Sequence, residues 1–191
     1  MYIVIGIIAV IVIWFVVAYN SFVRLVTQAK EAWADIEVQL KRRFDLIPNL
    51  VNTIKGSTAF EQGTLEKVVE ARAKATSVNI DPSKLDAAAM ATFQASQSEL
   101  SSSLGRLMVV AEQYPDLKSN QNFLALQHEL SDTENKIQAA RRFFNGTVRD
   151  LNIKIQSFPS NMLAGMFNFT KMEFFDLPDN DAAQNPVEVK F

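Results

Sequence analysis

Residues 3–17 read IVIGIIAVIVIWFVV, and this stretch decides the fold of the chain. Twelve of these residues are Ile, Val or Phe, and the first charged side chain in the sequence is Arg24. About 20 helical residues, at roughly 1.5 Å each, cross a hydrocarbon core of about 30 Å. Each central apolar residue favours insertion by about 0.3–0.6 kcal/mol, so the twelve together contribute on the order of 4–7 kcal/mol. The sequence predicts a transmembrane helix over residues 1–23.

A cleaved secretory signal is the alternative interpretation of this stretch. Val16-Val17-Ala18 supplies small residues of the kind that a signal peptidase accepts. The basic n-region of a signal is absent, however, and the apolar run exceeds the usual length of about 7–15 residues. These two features favour an uncleaved anchor.

The distribution of basic residues predicts how the anchor is oriented. Arg24, Lys30 and the cluster Lys41-Arg42-Arg43 follow the apolar run, and no basic side chain precedes it. By the positive-inside rule, the N-terminus lies outside and the main body of the chain lies in the cytoplasm.

The overall composition limits the possible functions. The 191 residues have a formal net charge of −2 and a sequence pI of about 5.5, which does not favour binding to nucleic acid. The chain has no cysteine, which excludes disulfides, thiolate metal sites and cysteine nucleophiles. After the anchor, the length is sufficient for one domain.

Helical periodicity continues beyond the anchor. Apolar residues recur in steps of three and four, which places them on one face of a helix. The first such series is Val26, Ala29, Trp33, Ile36, Leu40, Ile47, Leu50 and Ile54, and the longest lies within residues 116–157. The pattern predicts an all-α fold in which the anchor continues into a long antiparallel bundle of three to four helices over residues 24–158, with coiled-coil-like packing.

Proline residues mark the expected breaks in this bundle. Pro48 should kink or restart the first helix, because proline lacks an N–H donor. Asp81-Pro82 has the form of a helix start, and Pro115 should end the helix that follows it. Phe158-Pro159 should end the last long helix.

The C-terminal region divides into two segments. Residues 159–175 are rich in Phe and Met and show no sustained helical period. They either pack against the end of the bundle or contact a partner or membrane surface, and the candidate contact residues are Phe167, Phe169, Phe174 and Phe175. Residues 176–191 are predicted to form a mobile acidic tail.

The sequence contains no recognisable catalytic or cofactor motif. His128 is the only histidine, so a Ser-His-Asp triad and a two-histidine metal centre are both excluded or nearly so. Glu112, Glu129 and Glu134 are possible acid/base groups, but carboxylates on long amphipathic helices are usually solvated or paired with basic residues. We therefore predict no enzymatic activity, no metal and no cofactor.

Arg43 is the most informative charged residue because it falls on the apolar face of the first helix. A buried arginine needs a carboxylate and further hydrogen bonds. The sequence suggests a structural ion pair that fixes helix register, with Glu134 or Glu112 as the partner. The alternative is that Arg43 extends along its aliphatic stem to reach water.

Several motifs together resemble the bacterial LemA family. The most specific are VQLKRR at residues 38–43 and DLIPNLV at residues 45–51. Others follow in the family's order: Tyr19-Asn20, Glu31-Ala32-Trp33, Ala71-Arg72, Tyr114-Pro115, Glu134-Asn135 and Phe158-Pro159. One departure is Phe144, where the family has a tyrosine before Asn145. The resemblance implies a single-pass protein of the bacterial inner membrane with a long helical bundle and no established catalytic residues.

The sequence thus favours a non-enzymatic, membrane-anchored scaffold or interaction protein that self-assembles through its bundle. Its expected partners are the lipid bilayer and further copies of the same chain. The alternative is an adaptor or regulator of a membrane enzyme such as a quality-control protease, with the Phe-rich segment docking on that membrane protein.

Overall fold

The fold was taken from a computed structural model that describes residues 1–56, 61–78, 80 and 87–176. All regular secondary structure in these residues is helical, which confirms the predicted all-α class. The helices are α1 Tyr2–Lys55, α2 Gln62–Ser77, α3 Ala87–Ala111, α4 Pro115–Lys118, α5 Gln121–Gln156 and α6 Ser160–Met166. The described part therefore has four long helices, as the periodicity predicts, and two short ones.

The chain divides into two units. Unit 1 consists of Met1–Glu37 and Gln138–Phe174, and unit 2 consists of Val38–Ile137 and Phe175–Phe191. Both α1 and α5 contribute residues to each unit.

The core of unit 1 forms where α1, α5 and α6 meet. Ala18 and Phe22 of α1 pack with Leu151 of α5 and with Leu163 and Ala164 of α6.

Farther along α1, the rings of Trp33 and Phe144 pack edge to face with centroids 5.3 Å apart. Phe144 is completely buried in this contact. A phenylalanine fits this apolar contact without the hydroxyl that the family's tyrosine would place there.

The Asn152 side chain holds the segment after α6 in unit 1 through two hydrogen bonds. Asn152 Nδ2 donates to the Met172 carbonyl oxygen at 2.9 Å, and the Met172 N–H donates to Asn152 Oδ1 at 3.0 Å. Because one amide side chain satisfies both backbone groups of Met172, it orders an otherwise irregular segment.

The core of unit 2 is built from α1, α2, α3 and α5, with Leu117 added by the short helix α4. Its fully buried apolar side chains lie at the positions that the helical period predicts. They are Ile47, Leu50 and Ile54 of α1, Val68 of α2, and Leu100 and Leu107 of α3, with Phe123 and Leu130 of α5 nearly buried. This arrangement buries one face of each helix and leaves the opposite face in water.

Pro48 was predicted to kink or restart the first helix; α1 continues through it, so the helix does not restart there. A proline at position 48 cannot donate to the carbonyl four residues earlier, which is that of Phe44. Arg72 of α2 supplies the missing donor, with Nε 2.8 Å from the Phe44 oxygen. A tertiary hydrogen bond therefore satisfies the group that the proline leaves unpaired, and the helix does not have to end.

Other differences from the sequence predictions concern helix ends. Helix α3 ends at Ala111, and Pro115 begins the short helix α4 instead of ending α3. Residues 160–166 form α6 within the segment that was expected to lack helical character. The Asp81-Pro82 helix start lies outside the described residues, as does the predicted acidic tail from residue 177 onward.

The role of Arg72 leads to a testable prediction about Pro48. Arg72→Met should lower the free energy of unfolding by about 1–2 kcal/mol, because the Phe44 carbonyl loses its donor. In a Pro48→Ala background the same change should cost less, since the substituted alanine has a backbone N–H that can donate to that carbonyl from within the helix. Thermal unfolding of the wild type, the two single variants and the double variant, followed by circular dichroism, gives the interaction energy between Arg72 and Pro48. Equal costs in both backgrounds would contradict the assignment.

Candidate functional site

The candidate site in unit 2 is a buried polar cluster around Arg43. The Arg43 side chain is almost completely buried. Its Nη1 donates to Glu134 Oε2 at 3.0 Å and to Ser101 Oγ at 3.0 Å. Its Nη2 donates to Gln97 Oε1. The guanidinium therefore bonds to groups on two other helices, α3 and α5.

Regular helical geometry places these partners. Gln97 and Ser101 are four residues apart, which puts both on the same face of α3. Glu134 lies on α5 and retains about a third of its side-chain exposure, so its carboxylate faces both Arg43 and water. Glu112, the other carboxylate proposed as a partner, is solvent-exposed beyond the end of α3.

The electrostatics of the cluster combine burial with charge neutralisation. Burial lowers the pKa of the Arg43 guanidinium, and the Glu134 carboxylate opposes this shift through its charge and its hydrogen bond. Arginine remains protonated in proteins, so the cluster contains a cation–anion pair in which the cation is the buried member.

An open pocket of about 310 Å³ adjoins this cluster. Arg43, Ser101 and Glu134 contribute polar groups to its wall, and Met108 and Leu130 contribute apolar ones. The charges in this wall are already paired with each other. The arrangement therefore suits the packing of helices better than the activation of a substrate.

A neighbouring ion pair has similar chemistry in a different environment. Arg42 Nη2 lies 2.9 Å from Glu129 Oε1, and both side chains are more than 40% exposed. Ion pairs at such exposure contribute about 0–1 kcal/mol to stability. The Arg42–Glu129 pair therefore serves as an exposed control for the effect of breaking the Arg43–Glu134 pair.

The four candidate contact residues of the Phe-rich segment differ in their environments. Phe175 is buried, with its ring 5.4 Å from that of Phe93. Phe169 stacks on Phe22 with centroids 4.8 Å apart, and Phe167 packs edge to face with Tyr19 at 4.8 Å. Phe167 and Phe174 remain about 40% exposed.

The residues considered for catalysis do not form an acid/base site. His128 and Glu112 are exposed, Glu129 pairs with Arg42, and Glu134 pairs with Arg43. Within the described residues, no group of three or more metal-ligating side chains could hold a metal ion.

Three important residues were not singled out from the sequence. Gln97 and Ser101 lie in an Ala- and Ser-rich stretch, where their four-residue spacing on the inner face of α3 was the only signal. Arg72 was noted as part of a motif, but its carbonyl partner Phe44 is 28 residues away in sequence. Side-chain to backbone bonds over such distances leave no pattern in the sequence.

These observations define an α-helical protein whose first helix is long and apolar enough to cross a membrane. The chain belongs to the LemA family, whose model matches residues 32–191. It is 28% identical over 159 residues to Protein LemA of Metamycoplasma hominis, covering 82% of this chain and 68% of that protein. It is 25% identical over 186 residues to Magnetosome protein MamQ of Magnetospirillum gryphiswaldense, covering 88% of this chain and 68% of that protein.

The buried pair predicts an asymmetric response to substitution. Glu134→Gln should lower the free energy of unfolding by about 3 kcal/mol, because it leaves the buried Arg43 cation without a counter-charge. Arg43→Met should cost less, since the partly exposed Glu134 can be solvated once it is unpaired. Thermal unfolding of the full-length protein in detergent measures both effects.

The matched control is Arg42→Gln, which removes the adjacent exposed pair. It should change the free energy of unfolding by no more than about 0.5 kcal/mol. If Glu134→Gln were as mild as Arg42→Gln, Arg43 would not depend on Glu134 for its charge balance.

Proposed function

We propose that this protein is a non-enzymatic, membrane-anchored scaffold that assembles with further copies of itself in the bacterial inner membrane. Its N-terminus lies outside, and the main body of the chain lies in the cytoplasm. The anchor gathers the copies in one plane, so that weak lateral contacts between them suffice for assembly.

One observation carries this proposal: the apolar span and the first long core helix are the same helix. Residues 2–17 of α1 are almost entirely uncovered by protein, as a lipid-facing segment requires. From Ala29 onward the same helix buries Ala32, Trp33 and Ile36. Because no break separates the two parts, the anchor is continuous with a packed core instead of being joined to it by a loose linker.

The surface chemistry supports a binding role over a catalytic one. Outside the Arg43 cluster, ion pairs such as Lys136–Asp132, at 2.7 Å, are exposed to solvent. Mixed charges of this kind on long helices offer extended lateral surface for contacts between copies.

The proposed orientation can be tested with a single introduced thiol, because the chain has no cysteine. Lys30→Cys places a thiol at an exposed position of α1, beyond the apolar span. A membrane-impermeant maleimide should label it in inside-out vesicles and leave it unlabelled in intact spheroplasts. Labelling after detergent treatment controls for access to the thiol. The reverse pattern would place the main body outside the cytoplasm.

Self-assembly depends on the continuity of α1 in this proposal. A flexible Gly-Ser insertion beside Arg24 should leave membrane insertion intact but reduce the oligomer mass measured by light scattering in detergent. The control is the same insertion directly after Gly56, beyond the end of α1. A wild-type protein that is monomeric at every concentration would contradict self-assembly. An equal effect of both insertions would show that continuity of the helix is not required.

The partial exposure of Phe174 favours a second candidate function, that of an adaptor or regulator of a membrane enzyme such as a quality-control protease. Its neighbour Phe175 is buried, so the two residues provide a matched pair. If the protein is an adaptor, Phe174→Ser should abolish co-isolation with an identified membrane protease. Phe175→Ser, at the buried neighbour, should lower the free energy of unfolding more than Phe174→Ser does.

A further inference from the structure

Residues 155–170 form an uncharged stretch of sixteen residues between Lys154 and Lys171. Apart from the anchor, such a run is unusual for a chain in which 21% of residues are charged. The stretch includes α6, which is too short to be stable alone and depends on tertiary contacts.

Helix α6 has one face buried in unit 1 and another face that is apolar and exposed. Leu163 and Ala164 are 2% exposed and pack in the cluster that contains Ala18 and Phe22. On the other side, Met162 and Met166 are each 67% exposed, and their four-residue spacing puts them on the same face of the helix. A helix in water would place polar side chains there.

Phe158 extends this apolar surface just before α6 begins. Its side chain is 81% exposed, the highest exposure of any phenylalanine among the described residues. Three large apolar side chains within nine residues are therefore left uncovered by the protein.

The contacts of this segment place it at the level of the apolar span. The ring of Phe167 lies 5.8 Å from that of Phe15 and 4.8 Å from that of Tyr19. Phe15 precedes Arg24, the first charged residue, by nine positions, which corresponds to about 13 Å along the helix axis. Phe167 therefore lies on the membrane side of that charge.

Basic side chains lie at the edge of the same cluster. Lys154 Nζ lies 5.1 Å from the centre of the Phe22 ring. Burial and the neighbouring positive charge of Arg24 both lower the pKa of Lys154. Cations at this edge of the cluster would gain from an anionic surface, such as the phosphate layer of a bilayer.

From this geometry we propose that residues 158–167 insert into the headgroup–acyl boundary of the same bilayer that the anchor crosses. Lipid then covers the exposed surface that is formed by Phe158, Met162 and Met166. This inference rests on the proposed membrane anchoring and adds a second, reversible contact beside the span. Interfacial helices bury their apolar face in this boundary by about 5–10 Å.

A protein partner is disfavoured by the position of the surface. The exposed residues adjoin contacts to Phe15 and Tyr19, two residues of the lipid-facing helix. A partner on this surface would therefore also have to enter the membrane, whereas lipid is already present along the rest of the span.

Single nitroxide labels on introduced cysteines test the proposal directly. Met162→Cys and Met166→Cys place labels on the exposed face without disturbing the buried side of α6. The full-length protein is reconstituted in vesicles of phosphatidylethanolamine and phosphatidylglycerol, three parts to one. Lipid insertion should raise the ratio of oxygen to nickel-chelate accessibility several-fold above that of a label at Lys30→Cys, an exposed site farther along α1.

A label at Val10→Cys, in the middle of the apolar span, separates failure of this proposal from failure of the anchor. If Val10 is in hydrocarbon but the labels at 162 and 166 match the aqueous reference, the interfacial contact is wrong and the anchor stands. If Val10 is also aqueous, both proposals fail. Low accessibility of the α6 labels to both reagents would indicate protein contact, such as a second copy, and would likewise overturn lipid as the occupant.

Discussion

The buried guanidinium of Arg43 is the interaction on which the arrangement of unit 2 depends. One side chain from α1 bonds to Gln97 and Ser101 of α3 and to Glu134 of α5. Apolar packing tolerates small shifts of one helix along another, whereas a planar guanidinium donates hydrogen bonds to its partners only within a narrow range of geometry. The hydrogen bonds of Arg43 therefore link one turn of α1 to particular turns of α3 and α5.

A second arginine allows α1 to keep its full length. The donor that Pro48 lacks is replaced by Arg72 from a different helix. Arg43 bonds α1 to its neighbouring helices, whereas Arg72 satisfies a backbone carbonyl of α1. Both residues lie in motifs by which the chain resembles the LemA family, so these motifs have a structural explanation that requires no catalytic role.

Unit 1, which contains the apolar span, has a different kind of core. Its core is formed by aromatic and small side chains around Ala18 and Phe22, at the point where the apolar span ends. The same helix thus changes from a lipid-facing surface to a protein-facing one within a few residues. If α6 also enters the interface, unit 1 contacts the bilayer through two elements, and its tilt relative to the membrane is restrained as well as its distance.

The all-α class, the membrane-spanning helix and most of the buried apolar positions were determined by the sequence alone, because they follow from hydrophobicity and from the 3.6-residue period. The placement of Arg43 on an apolar face was also evident there. Only the tertiary structure decided between Glu134 and Glu112 for the hydrogen bonds of Arg43, because that choice depends on which turns of α3 and α5 lie opposite α1. It also decided that Pro48 does not break α1 and that α6 is helical. Each of these outcomes depends on groups that are distant in sequence, so the local sequence carries no record of it.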